Sequence, residues 1–270
     1  MPSFTSVLCA VDASDTAPRV LRHAAALAAV SGAQLTVLTV TDGHRRNAEA
    51  RLESLVRETL PAGATFLGQP QLHVARLTQG GIADAILEFA REAVDLLVAG
   101  THARTGLSRW LLGSTSAAVL EQVRCPTLLI PPGHADVVTI APDGVRLHFG
   151  AVIAAVDLTE HNDRQLRLAS EMATLAQQPL VLMTVAGPEV SEQQAEQALA
   201  GRAHALGLVE VQHLVIRRGP VAEEIARAAA LEPARLVVMG LRERGHGIAG
   251  ELATKVVHGR DTVVLAVPGN

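Results

Sequence analysis

Lysine is nearly missing from this chain: of 270 residues, only Lys255 is one. That leaves almost no place for Schiff-base chemistry, and no G-x-x-x-x-G-K-[ST] loop is present. Cysteine is scarce as well, with Cys9 in an apolar run and Cys125 just ahead of a proline. Two thiols cannot build a disulfide framework and read as buried side chains. Charged residues make up 19% and the net charge is −4 with no basic block, which argues against a nucleic-acid surface. Apolar runs such as Ala151–Val156 and Val263–Val267 are strand-length, well short of the roughly 18 residues of a membrane span. Met1-Pro2-Ser3 leads into a strand-like run without a basic, apolar leader, so a cytoplasmic location is expected. The eleven histidines show no H-x-x-x-H or Cys–His spacing, so no metal site is expected. No G-x-S-x-G elbow exists to carry a nucleophile.

What the chain has is apolar residues, 49% of them, and an internal repeat. Val7-Leu8-Cys9-Ala10-Val11-Asp12 returns as Val152-Ile153-Ala154-Ala155-Val156-Asp157, 145 positions on. Leu35–Val40 returns as Leu180–Val185 at the same offset. Gly80 and Ile86 match Gly219 and Ile225, Asp95–Gly100 matches Arg235–Gly240, and both halves close on Pro-Gly. Five landmarks in one order define two domains, at 1–133 and 148–270. The linker, 134–147, carries Pro142-Asp143-Gly144, a turn signal that could close a small hairpin.

Within each half, strand patterns alternate with helical ones. Strands are expected near 5–11, 34–40, 71–77, 94–99 and 127–131. Helices are expected at Ala17–Val30 (capped by Ser14-Asp15), His44–Thr59, Ile82–Glu92, Ser114–Gln122 and, in the second half, Leu166–Ala176. Apolar strands separated by helices mean an α/β fold: two tandem doubly wound, five-stranded parallel sheets of Rossmann-like type, covered on both faces.

Ligands bind such sheets beyond the carboxyl ends of the strands. There the chain places Asp12, Val40 and Gly100, and after Gly100 comes a sixteen-residue stretch, Thr101 to Ser116, entering a helix. Gly113, the hydroxyls of Ser114, Thr115 and Ser116, and the charge of Arg104 are the parts of a phosphate cradle without a lysine. His102 lies in the same loop, open between a phosphate contact and an ordinary loop histidine. Asp12 is open between a ligand contact and a helix cap, and Trp110 reads as a packing residue. Gly245-x-Gly247-x-x-Gly250 fits a dinucleotide pattern, but it follows the fourth strand of its repeat and is a coincidence.

Gly100, Gly113 and Ser114 fall on the spacing of one known loop: Gly, two residues, Gly, nine residues, Gly-Ser. On this the chain resembles a tandem universal stress protein. Ala103 stands where the second glycine belongs, a departure worth ~1 kcal/mol if positive φ is needed. The resemblance implies an adenine nucleotide, ATP with or without Mg2+, held in the first domain. It assigns the ribose to Asp12 and the adenine to backbone at Ala10 and Val40. It implies the fold of adenine nucleotide alpha hydrolases, a stress-response role, and pairing of the last strands (127–131 and 263–267) into an internal pseudo-dimer, with homodimerisation left open.

The second repeat runs 29 residues from Gly240 to Gly269, where the first runs 33 from Gly100 to Gly133. Glu243 takes the second glycine's place and Glu251 follows Gly250. A carboxylate there repels phosphate by about 1 kcal/mol at 4 Å even in water. The second domain is therefore expected to be degenerate for ATP, with another ligand or a counterion as the alternative. For the whole chain three functions remain: ATP-binding regulator without catalytic apparatus, nucleotide-independent interaction scaffold, or slow ATPase.

Overall fold

The computed structural model describes residues 4–43, 45–62, 68–77, 80–91, 93–101, 114–132, 136–160, 163–208, 211–241, 256 and 262–269. The chain divides into two compact units, Met1–Leu147 and His148–Asn270. Both are doubly wound α/β domains built on parallel sheets.

Unit 1 contains β1 (Ser6–Ala10), α1 (Ala17–Ser31), β2 (Gln34–Thr41), α2 (Arg45–Thr59), β3 (Gln71–Arg76), α3 (Ile82–Ala90), β4 (Leu96–Gly100), α4 (Ser114–Gln122) and β5 (Thr127–Ile130). Its strands lie in the order β5-β4-β1-β2-β3, all parallel. The central strands are apolar without alternation because helices cover both faces: Val7, Leu8, Cys9, Leu96, Leu97 and Val98 are wholly buried. Burial pushes the Cys9 thiol far above its ordinary range, so it is an inert core side chain. At the sheet's lower end the Asp95 carboxylate accepts from Thr5 N–H (2.7 Å), the Thr5 hydroxyl (2.6 Å) and Ser6 N–H (3.1 Å).

Helix α1 buries Val20, Leu21, Ala24, Leu27 and Ala28, the stripe expected from its periodicity. It stops at Gly32, whose φ of 68° lets its N–H turn back to Ala28 and Ala29 carbonyls. Its start differs from expectation. Thr16, not Ser14 or Asp15, holds the N-cap position, and its side chain makes no capping bond. Pro18 lies in the first turn and lacks an N–H, while Ala17 N–H donates to the Ser14 carbonyl at 3.1 Å, so fewer donors need a cap.

Residues 136–147 belong to unit 1. β6 (Val138–Ala141) and β7 (Gly144–Leu147) pair antiparallel from Val138↔Leu147 to Ala141↔Gly144. The hairpin docks on α1. Asp136 accepts from Arg19 Nε at 2.9 Å and Arg22 Nε at 2.8 Å, and Arg19 also reaches the Pro131 carbonyl. Partial burial opposes charge on Asp136, but the Arg22 and Arg19 bonds outweigh it and hold its carboxyl below the usual range. Beneath them His23 is buried with Nδ1 2.8 Å from the Arg19 carbonyl, and burial lowers its pKa to about 4.

Unit 2 repeats the order with β8 (Val152–Ala155), α5 (Asp163–Ala176), β9 (Leu180–Val185), α6 (Glu192–Ala205), β10 (Val211–Arg217), α7 (Val221–Leu231), β11 (Leu236–Leu241) and β12 (Val263–Pro268). Its sheet runs β12-β11-β8-β9-β10, also parallel. Ser191 and Gln194 form a reciprocal capping box at the head of α6.

Candidate functional site

In unit 1 the chain winds outward from β1 through β2 to β3, then returns to place β4 on the other side of β1. The order reverses between β1 and β4, where Ala10 lies opposite Ala99. In doubly wound sheets such a reversal is where ligands bind. In unit 2 the same reversal falls between β8 and β11, with Ala155 opposite Met239.

Beyond β1, Val11 N–H donates to the Leu38 carbonyl at 2.9 Å, and the chain then turns. Asp12 is exposed, and its Oδ1 accepts from the Ser14 N–H at 3.1 Å and the Ser14 hydroxyl at 2.6 Å. This is a local turn before the helix, so Asp12 is not the cap of α1. Ser14 Oγ lies 2.9 Å from Thr16 Oγ1, which carries the polar chain on to the first turn of α1.

Gly100 ends β4 against that turn. A Cβ on it would fall 3.1 Å from Val20 Cγ2 and 3.7 Å from Thr16 Oγ1. The missing side chain lets β4 end tightly against α1 and keeps the mouth of the crevice free of bulk. From the far side, the Ser116 hydroxyl donates to the Gly100 carbonyl at 3.1 Å and ties the first turn of α4 to the strand end. Ser114 is exposed and Thr115 half-buried, so the positive end of the nine-residue helix α4 faces outward. One strand further out, Val40 is half-buried at the carboxyl end of β2.

The structure thus brings Ala10, Asp12, Gly100 and Ser116 to one switch point, with Val40 on the adjoining strand end and Ser114 and Thr115 leading α4. His102, Ala103, Arg104 and Gly113 lie outside the described residues. So do Trp110 and the second loop from Arg242 to Glu251.

Unit 2 keeps the aspartate turn: Asp157 Oδ1 accepts from Thr159 N–H at 2.9 Å and the Thr159 hydroxyl at 2.6 Å. Its surroundings differ. Gln165, 2% exposed, donates its amide to the Ala155 carbonyl at 2.8 Å and the Val238 carbonyl at 3.0 Å, bridging the two strands of the reversal. The Thr184 hydroxyl donates to the Val156 carbonyl at 2.8 Å. Arg202 donates to the Asp157 carbonyl at 3.1 Å and the Leu158 carbonyl at 2.7 Å. Neither Gln165 nor Arg202 belongs to a motif. The available signal was the repeat offset, which puts Gln165 on the buried stripe of its helix where the first repeat has Val20.

Among the described residues no cluster of three or more His, Cys, Asp or Glu side chains could hold a metal ion. No helix among them is long and apolar enough to cross a membrane.

Comparison with known proteins agrees with this architecture. The chain is 36% identical over 135 residues to the universal stress protein in the QAH/OAS sulfhydrylase 3' region of Thermus aquaticus, a match spanning 47% of this chain and 98% of that protein. A solved universal stress protein of Archaeoglobus fulgidus superposes with a TM-score of 0.70 at 18% identity, over 97% of this chain and 96% of that one. A Pseudomonas aeruginosa UCBPP-PA14 chain described as a universal stress protein superposes with a TM-score of 0.72 at 21% identity, over 99% and 94%. At those identities the superpositions speak for the fold. The sequence profile of the universal stress protein family matches residues 3–131 and again 148–268. The chain therefore belongs to the universal stress protein family, with two of its domains in tandem.

Proposed function

We propose that this protein is a regulatory nucleotide binder that holds ATP in its first domain, at the reversal between β1 and β4. The observation that carries the reading is the meeting of three elements there. Asp12 offers an exposed carboxylate after β1, Gly100 leaves the strand end bare, and Ser116 draws the positive end of α4 over it. A carboxylate suits ribose hydroxyls, and a helix N-terminus with free hydroxyls suits phosphates. Ala10 and Val40 would present backbone to the base. His102, Ala103, Arg104, Gly113, Ser114 and Thr115 would line the phosphates, and Mg2+ would enter, if at all, with the nucleotide.

Binding without a dedicated catalytic apparatus is the form of the proposal. The Asp12 carboxylate is engaged by Ser14, which fits a positioning group better than a base at the γ-phosphate. Titration calorimetry with ATP is expected to give one site per chain. No heat at millimolar ATP would overturn binding, and two sites would overturn the inequality of the domains. Trp110, the only tryptophan, supplies a fluorescence readout expected to respond to ATP in the wild type and not in Asp12→Ala. A phosphate-release assay is expected to show no turnover above the spontaneous rate.

A further inference from the structure

We infer that Gln165 and Arg202 close the second domain's switch point from within, so that its failure to take nucleotide is set by its core as well as by its altered loop. The inference rests on the reading that the equivalent crevice of the first domain binds ATP.

A ligand entering the end of a parallel sheet gains orientation largely from backbone groups left unpaired where the strands part. In unit 2 the carbonyls of four consecutive residues after the core of β8 are already taken. Ala155 is bonded by Gln165, Val156 by Thr184, and Asp157 and Leu158 by Arg202. These donors come from α5, β9 and α6, so the segment leaving β8 is held from three elements at once. Gln165 also bonds Val238 on β11, which fastens the two strands together at the reversal itself.

The orientation of the Gln165 amide is not arbitrary. Both of its strand partners are acceptors, so a flipped amide would set three oxygens together. With the nitrogen so committed, Gln165 Oε1 is buried without a hydrogen-bond partner. A buried amide oxygen is left unpaired only where the bonds on its nitrogen outweigh the loss.

The first repeat keeps a threonine, Thr39, where Thr184 stands, but it cannot make the ties of Gln165 and Arg202. At the offset of 145, Gln165 corresponds to Val20, which has no donor and packs toward Gly100; in the second helices the burial pattern, with Leu52 matching Leu199, sets Leu55 where Arg202 stands, and leucine has no donor either.

The test uses the full chain and ATP stoichiometry by calorimetry in three forms. The first is wild type. The second replaces the eleven residues Leu241–Glu251 by the sequence of the fifteen residues Thr101–Thr115, restoring the four-residue difference between the loops. The third adds Gln165→Val and Arg202→Ala to that graft. Expected stoichiometries are one, one and two. Two sites in the graft alone, or one in the triple change, would overturn the inference. Zero in wild type would instead remove the first-domain reading.

Hydrogen exchange gives an independent reading without nucleotide. In ungrafted Gln165→Val/Arg202→Ala protein, amides 156–160 are expected to lose protection by at least about tenfold. Amides 181–185 of β9 and 6–10 of β1 serve as controls for folding and should keep theirs. Unchanged protection at 156–160 would overturn the inference.

Discussion

The two domains leave their first strand by the same turn and then treat the space beyond it differently. Asp12 with Ser14 and Asp157 with Thr159 make matching carboxylate turns. Beside the first stand a valine and the hydroxyls heading α4; beside the second, a glutamine and an arginine spend their donors on strand-end carbonyls. The turn has a structural reason to exist in both repeats, since it satisfies backbone at the exit from a buried strand. An aspartate at that place is thus no mark of a ligand by itself. The distinction lies on the buried faces of the neighbouring helices, where a change from Val20 to Gln165 converts an apolar floor into a staple.

A second contrast concerns α1 and its counterpart α5. In unit 1 a hairpin is fastened to α1 by Asp136, above the buried His23. The repeat offset places Leu168 where His23 stands, so unit 2 has no titrating group at that position.

The largest expected effect separates the domains by ligand. Gly113→Glu puts a carboxylate in the first loop, as Glu243 and Glu251 do in the second. Repulsion of about 4 kcal/mol, for charges 4 Å apart near a protein surface, should weaken ATP binding roughly a thousandfold in calorimetry. Glu243→Gly is expected to leave the stoichiometry at one, and a second site appearing there would erase the contrast.

Acid should separate them next. The folded pKa of His23, about 4, lies below its ordinary 6.5, so the unfolded chain takes up the proton first as pH falls. Stability is complete above about pH 6.5 and declines by about 3 kcal/mol toward pH 4. Asp136, whose folded pKa is held down, adds a further loss at still lower pH. Denaturant melts followed by hydrogen exchange should show unit 1 weakening across this window, with His23→Leu removing the decline between 6.5 and 4. A decline that persists in that variant would place the acid sensitivity elsewhere.

Asp136→Ala should cost unit 1 about 1–2 kcal/mol, since it leaves Arg19 and Arg22 half-buried without their partner. Thermal melting is expected to fall by a few degrees, with exchange rising in 136–147 and not in unit 2. The smallest effect belongs to unit 2: Ser191→Ala breaks the capping box and should cost about 1 kcal/mol, read as faster exchange at the head of α6.

Much of this was legible in the residues. The strand runs and helical stripes placed most elements within a residue or two, because parallel strands covered on both faces carry continuous apolar runs. Helix α3 ends at Ala90, with Arg91 as its cap, rather than at Glu92. Helix α5 begins at Asp163, a turn before the apolar stripe reveals it. The Pro142-Asp143-Gly144 signal found the hairpin but not its docking, since the bond from Asp136 to Arg19 spans 117 positions and has no local signature. For the candidate site, glycine and hydroxyl spacing pointed to the strand ends, while Gln165 and Arg202 escaped notice because their partners are distant backbone atoms.

The sequence by itself determined the duplication, the α/β winding and the chain positions where ligand chemistry could sit. Those follow from periodicity and glycine placement, which act over a few residues. Tertiary structure decided which strand-end carbonyls are taken, because in unit 2 side chains from three other elements bond those of Ala155 to Leu158. Two turns with matching hydrogen bonds can therefore stand in different surroundings.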